Sequence, residues 1–548
     1  MPPPIDKLPV ELLTRCFLIL AEDYVPKLLA KHPRMQVQCG WIVITHVCHR
    51  WRAIALDAAS LWVTPTWDLG PRWAAEMISR SKSAPLTIRF HSASGWSLPT
   101  WENPQSVYRA VLDTIDRHLG RIKVIHIFGG IPQRIHFPVM DTFNKPAPVL
   151  QELDLDIIDL CLPENFLGNR PSCLRTLRLE SVGHNWTSSL FSELTELAIT
   201  GGSNSRLPSY DGFYDMLNRN LRLEFLSLTE CLPSSSASYT THSLHRRFDL
   251  PYLTKLYIWD TVHVCTHVLH AIGSSPDVVI EISIDLYGKE ACNKDISNVF
   301  SALSTHMNRR ADPYSSLFLD PFHGDSNTTF SLARHATSAT HSIDSPRHYS
   351  GLDGSTLEEC LSVEIVRDPD VEGGNMPDAP LIMELAFSSS VPIVDKIDTV
   401  AVAEFASEDI LDWDIWRTLR QLYNVRYLRT SSFEAVQHLH SPFFPEIDFD
   451  DPETGPTRAP RYLYFTRLTH LELYNVDFTE DDPAMDGKLV GMLEYRKGLR
   501  SPLSQVTLTR CIMPDGMAER VKRMHRGVEV QVSDSVLGRW SVDSWGRL

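Results

Sequence analysis

The chain of 548 residues sets 52 Lys and Arg against 68 Asp and Glu, a formal net charge of −16 at pH 7, with 43% hydrophobic and 22% charged residues. That length exceeds what one compact core supports and implies about three or four domains unless the fold is extended. The acidic balance argues against a general nucleic-acid binder, whose affinity comes mainly from Lys and Arg neutralising phosphates, and leaves open a local basic patch.

The opening Met1-Pro2-Pro3-Pro4-Ile5-Asp6-Lys7 lacks the basic and apolar regions of a secretory signal, and no apolar run is long enough to cross a bilayer. The expected location is therefore cytoplasmic or nuclear, with no membrane partner. Ten cysteines lie scattered without a Cys-x-x-Cys pair, several at apolar positions, as reduced core thiols do. Asn185-Trp186-Thr187 and Asn327-Thr328-Thr329 fit the glycosylation triplet but, without a secretory route, read as chance matches.

Residues 8–20 predict a first helix, with Leu12, Leu13, Cys16, Phe17 and Leu20 on one side, Pro9 in the first turn and Glu11 near the positive end of the dipole. Residues 42–55 predict a second, in which Ile44, Val47, Cys48, Trp51 and Ile54 recur at three and four residues. Helices this short cannot bury their stripes alone, so they pack on each other and on something else. Any remainder left exposed is a binding surface.

Leu8-Pro9-Val10-Glu11-Leu12-Leu13 followed by Val47-Cys48-His49-Arg50-Trp51-Arg52-Ala53-Ile54-Ala55 resembles an F-box, with its Leu-Pro-x-Glu-Leu-Leu opening and Val-Cys-x-x-Trp-Arg closing. Ala59-Ser60-Leu61-Trp62 resembles the segment that ends many such modules in large fungal sets. The likeness covers about one-tenth of the chain, and the stretch 23–40 departs from it by lengthening the connection between the matching parts. The resemblance implies docking on a Skp-type adaptor and, through it, on a cullin ubiquitin ligase. By motif position the adaptor contacts fall on Leu8, Pro9, Leu12, Leu13, Val47, Cys48 and Trp51, some of which must instead hold the two helices together. The competing reading is a plain helical hairpin belonging to the core.

Downstream, a helix at 73–80, a strand at 86–90, a helix at 107–119 and a strand at 122–127 follow. The phrase apolar-x-x-apolar-x-apolar then recurs at Ile122-Ile125-Ile127, Leu150-Leu153-Leu155, Leu174-Leu177-Leu179, Leu194-Leu197-Ile199, Leu223-Leu226-Leu228, Leu253-Leu256-Ile258 and Val279-Ile282-Ile284. It returns at Leu468-Leu471-Leu473 and Leu503-Val506-Leu508. Steps of about 20 to 30 residues match leucine-rich repeats, in which alternate strand residues and a preceding turn Leu share one stacked core. The expected fold class is α/β: a helical F-box at 1–65, linker helices and a first strand at 66–121, and an irregular leucine-rich-repeat solenoid of parallel strands with helical backs at 122–548.

Residues 306–354, rich in Ser, Thr, His, Pro and Gly, predict a loop-rich insertion, followed by degenerate repeat strands at 361–366, 381–387 and 399–402. A helix at 413–422 and a strand at 425–429 come next. Residues 441–452 mix Pro, acids and aromatics as a binding loop or a plain insertion, and 540–545 suit a terminal cap.

His263, His267 and His270 share a helical face and offer three imidazoles to zinc, but the His-Glu-x-x-His order and extra thiolates are missing. The alternative is a helix carrying three histidines on its solvent side. The acidic run 477–483 lacks a calcium-loop order and reads as a solvated turn. No nucleophile elbow or phosphate loop occurs, so no catalytic, cofactor or metal residue is assigned. The expected function is a non-catalytic substrate receptor of a Skp-cullin-F-box ligase whose repeats hold a protein target. An adaptor-bound scaffold is the alternative, and a metal-dependent hydrolase a remote one.

Overall fold

The computed structural model describes residues 8–31, 34–91, 104–129, 143–158, 160–169, 173–202, 207–233, 247–274, 277–286, 293–307, 316–320, 327–335, 349–350, 356–366, 396–402, 416, 418–419, 421–431, 436, 439, 465–478, 485–498, 501–513, 516–524, 528–533 and 536–537. The expected strand at 381–387, the loop at 441–452 and the cap at 540–545 lie outside them. The fold is mixed α/β with parallel strands, and its contacts divide it into two compact units, Met1–Asp260 with His270–Ser275, and Thr261–Leu269 with Pro276–Leu548.

The first unit begins with α1 (Val10–Asp23), whose N-cap is Pro9 and whose first turn carries Glu11. An antiparallel hairpin, β1 (Lys27–Lys31) and β2 (Arg34–Gln38), fills the long connection. Gly40 closes it at φ +53°, because a Cβ there would run into the carbonyl of Tyr24. The expected second helix is two pieces: a 3-10 turn, Gly40–His46, and α2 (His49–Asp57). Cys48 breaks it by adopting an extended conformation, in which its Sγ accepts from the Trp51 N–H and caps α2. Leu13, Phe17, Trp41, Ile44, Ile54 and Trp62 form the core between these pieces, and Met77 of α3 (Pro71–Arg80) belongs to the same cluster. Arg80 lies over the Trp62 ring at 4.4 Å, and Lys82 Nζ pairs with Asp57 at 2.7 Å. Residues on either side of position 65 therefore pack as one body.

From there the chain stacks parallel strands. β3 (Leu86–His91) is followed by α4 (Pro104–His118) and β4 (Ile122–Phe128). Next come β5 (Glu152–Asp156), β6 (Thr176–Glu180), β7 (Glu196–Thr200) and β8 (Phe225–Thr229). A short strand, β9 (Phe248–Leu250), precedes β10 (Lys255–Thr261). β3 to β8 pair in order and β10 pairs with β8, all in parallel. The repeated phrase sets the register: Leu153 opposes Leu177, which opposes Leu197, then Leu226 and Leu256. These leucines and the turn residues Leu150, Leu174, Leu194, Leu223 and Leu253 are all at 0% exposure. Burying each contributes about 1.5–3 kcal/mol, which an isolated rung cannot obtain.

The backbone repeats as well. The Gln151 carbonyl accepts from the N–H groups of Arg175 and Thr176, Arg175 from Thr195 and Glu196, Thr195 from Glu224 and Phe225, and Glu224 from Thr254 and Lys255. Asn220, 1% exposed, ties two rungs by accepting from the Leu194 N–H and donating to the Phe191 and Met216 carbonyls.

β11 (Ile272–Ser274) pairs in parallel with β9. In the second unit, β12 (Val279–Asp285) pairs in parallel with β16 (Thr356–Val366). Between them in sequence lie β13 (Ser316–Asp320), β14 (Asn327–His335) and β15 (Tyr349–Ser350). β14 runs antiparallel to both β13 and β16, and β15 antiparallel to β16. The stretch expected to be loop thus carries strands. Its Ser- and Thr-rich composition read as turn, while its partners stand tens of residues away, where local pattern has no reach. β13 continues in parallel to β17 (Thr399–Val402), then β18 (Tyr427–Thr430), β19 (His470–Tyr474), β20 (Gln505–Thr509) and β21 (Glu529–Ser533). Leu428, Leu471 and Val506 align at 0% exposure. Trp416, Leu419 and Leu422 are also fully buried, while 413–415, 417 and 420 of the expected helix lie outside the described residues.

Candidate functional site

The seven predicted adaptor residues separate by burial. Leu13 is 1% exposed and belongs to the core, so it is a packing residue. Trp51 and Leu8 are half-buried against that core, with the Trp51 ring 5.1 Å from Phe17. Arg50 donates to the Leu8 carbonyl and ties the start of the motif to its end. Pro9, Leu12, Val47 and Cys48 are exposed, Leu12 at 50% and Val47 at 57%.

The single apolar side expected for the first helix is in fact two stripes. Leu13 and Phe17 point inward, whereas Leu12, Cys16 and Ile19, spaced four and three apart, stand in solvent. Ile19 is 56% exposed, and Val43 on the adjoining 3-10 turn is 52% exposed. Ile19 and Val43 lie outside the matched motif; only the depth of the core, which periodicity cannot measure, reveals them.

The outward face of the first unit's sheet is a second surface. Alternation places there His126 on β4, Glu152, Asp154 and Asp156 on β5, Arg178 and Glu180 on β6, and Glu196 on β7. Arg178 reaches Glu196 at 3.0 Å and Asp154 at 3.7 Å, and His126 Nε2 meets Glu152 at 2.9 Å. Burial pushes the Asp154 carboxyl above the usual range. Glu180 is raised by partial desolvation and by the neighbouring charges of Asp156 and Asp154. At the other end of this face stand Tyr257 and the 39% exposed Trp259, both on β10. Asp156, Glu180 and Trp259 were missed by motif reading. The signal was present, since each follows the last apolar residue of its phrase and aligning the phrases puts them in one row.

The corresponding face of the second unit is internally paired. Glu472, 9% exposed, accepts from the Tyr427 hydroxyl and from Thr509 Oγ1 at 2.8 Å. Arg429 stacks on Tyr474 at 4.2 Å, and Arg510 donates to the Tyr474 hydroxyl at 3.0 Å. Burial, then the hydrogen bond to Glu472, raises the Tyr427 pKa and keeps its hydroxyl protonated.

The three histidines do not form a trio on one solvent face. On the helix Val262–Ala271, His263 and His270 are exposed but His267 is 5% exposed, and among the described residues no group of three or more His, Cys, Asp or Glu is placed to hold a metal. In the acidic run, Phe478 is buried rather than solvated; residues 479–483 lie outside the described set. The first unit also holds a cleft of about 410 Å³ lined by Phe166, His184, Leu190 and Phe191 among others. His184 Nδ1 donates to the Val182 carbonyl at 2.9 Å, and burial lowers its pKa, keeping the ring neutral.

No protein-family model matches the chain, and no curated protein does. Among solved structures, a leucine-rich-repeat protein of Leptospira interrogans aligns over 77% of this chain and 86% of its own, at 11% identity and a TM-score of 0.26. At those values nothing about this chain follows from that protein's name.

Proposed function

We propose that the chain is a non-catalytic substrate receptor of a Skp-cullin-F-box ubiquitin ligase, working in the cytoplasm or nucleus. Its N-terminal module is the F-box, and its strand ladders are leucine-rich-repeat-like supports for a protein target. The observation that carries the reading is the second apolar stripe on α1. Leu13 and Phe17 already fill the module's core, so Leu12, Cys16 and Ile19 have no packing role within it. Leaving such side chains in water forgoes about 25 cal/mol per Å² that a partner surface recovers. The adaptor contacts become Pro9, Leu12, Val47 and Cys48, joined by Cys16, Ile19 and Val43.

The mechanism is geometric. Met77 and Trp62 share one cluster with α1, so the docking module is packed against the start of the first ladder. A target held on that ladder is kept near a charged ubiquitin carrier, and effective concentration does the work without new covalent chemistry.

The test is titration calorimetry of the full chain with a Skp-type adaptor. Leu12→Arg with Val47→Glu is expected to weaken binding at least tenfold while leaving the circular dichroism unchanged, since both positions are half exposed or more. An adaptor that binds the double variant as tightly as the native chain, or binds neither, sinks the proposal.

A further inference from the structure

Strand register places Asp156, Glu180, Thr200, Thr229 and Trp259 in one row across five adjacent strands of the first unit. We infer that this row binds an extended, positively charged segment of a protein, in which Arg or Lys stands four to six residues from a large apolar side chain. The inference rests on the substrate-receptor reading and names the chemistry of the target.

Charge complementarity selects the occupant. Arg178 is engaged by Asp154 and Glu196, and His126 by Glu152, whereas among the described residues Asp156 and Glu180 have no ion pair. Two neighbouring carboxylates of like sign without a cation repel each other, and a guanidinium or ammonium between them removes that repulsion. The sign excludes a nucleic acid, whose phosphates would meet these carboxylates.

Spacing selects the second feature. Neighbouring strands stand about 4.8 Å apart, so Trp259 lies about 14 Å from the Glu180 row position and about 19 Å from that of Asp156. An extended peptide advances about 3.4 Å per residue, which converts those spans to about four and six residues. Only the small hydroxyl side chains of Thr200 and Thr229 occupy the row between, leaving its middle low. Trp259, 39% exposed, gives the apolar residue an aromatic face to cover.

The experiment uses the full chain without adaptor and fluorescein-labelled peptides holding two arginines and one leucine, separated by one, four or ten Gly/Ser residues. The four-residue spacer is expected to bind at least tenfold more tightly than the one-residue spacer, which reaches only about 7 Å. The ten-residue spacer is expected to lose only about threefold, the cost of closing a longer flexible loop. Asp156→Asn with Glu180→Gln, or Trp259→Ala alone, removes the advantage, and Glu180→Lys shifts preference to a peptide with glutamates in place of arginines. Failure of every peptide to saturate, equal affinity for the one- and four-residue spacers, undiminished binding by the variants, or self-association through Trp259 in place of peptide binding each overturns the inference. Adaptor binding by the same variants stays at the native level and judges the receptor reading separately.

Discussion

The two units share inward chemistry and differ outward. In each, a carbonyl takes two N–H groups from the next rung: Thr195 from Glu224 and Phe225 in the first, Arg426 from Thr469 and His470 in the second. In each, a residue just after a strand turns left-handed, Ser181 and Glu230 in one and Asn475 and Arg510 in the other, and the next residue, Val182, Cys231, Val476 or Cys511, drops into the core. The outward faces diverge. Around Glu472 the second unit satisfies its polar groups internally, while in the first, among the described residues, Asp156 and Glu180 have no counter-charge and Trp259 is 39% exposed. Period two explains how both hold: consecutive strand residues face opposite sides, so one side can keep its leucines while the other varies freely.

That comparison can be broken most forcefully at the core. Leu177→Ala in the first unit and Leu471→Ala in the second, both at 0% exposure, are each expected to cost about 2–5 kcal/mol. Urea unfolding followed by hydrogen exchange should localise the two losses to different units. A loss under about 1 kcal/mol at either would end the claim of equivalent inward packing.

The outward faces give a smaller contrast. Glu472→Ala leaves the Tyr427 and Thr509 hydroxyls without their acceptor and is expected to cost about 1–3 kcal/mol. Equal tolerance of Glu472→Ala and Glu180→Gln in thermal melts would show that the two faces are alike.

The smallest expected effect carries a sign. The folded pKa of Glu180 is raised, so the native state holds the proton more tightly than the unfolded chain, and the penalty appears as pH rises from the unfolded carboxylate pKa through the folded one. Glu180→Gln should therefore stabilise slightly at pH 7, by less than about 0.5 kcal/mol given its exposure, with the gain fading below the unfolded pKa. Destabilisation at pH 7 would indicate that Glu180 has a favourable partner.

The register of the first ladder was legible in the sequence, whereas Asp156, Glu180 and Trp259 of its outward face and Ile19 and Val43 of the opening module were not picked out by motif. The phrase Leu-x-x-Leu-x-Leu contains the register, because the only way to stack its three apolar positions is opposite their counterparts, and Leu153, Leu177 and Leu197 obey that rule. Burial of Leu13 beside exposure of Leu12 was not legible, since both sit within one helical turn and only the neighbours Trp41, Ile44 and Trp62 decide which is covered. The break at Cys48 was equally hidden. Ile44, Val47, Cys48 and Trp51 keep helical spacing through a residue whose backbone is extended.

By itself the sequence determined the parallel rungs and their inward leucines, both of which depend on residues close together in the chain. Tertiary structure alone decided which half of α1 stays in water, that β14 runs against β13 and β16, and that His267 turns inward while His263 and His270 do not. The reason is one of range: periodicity states which side chains share a face, but only partners brought from elsewhere in the chain determine whether that face meets protein or solvent.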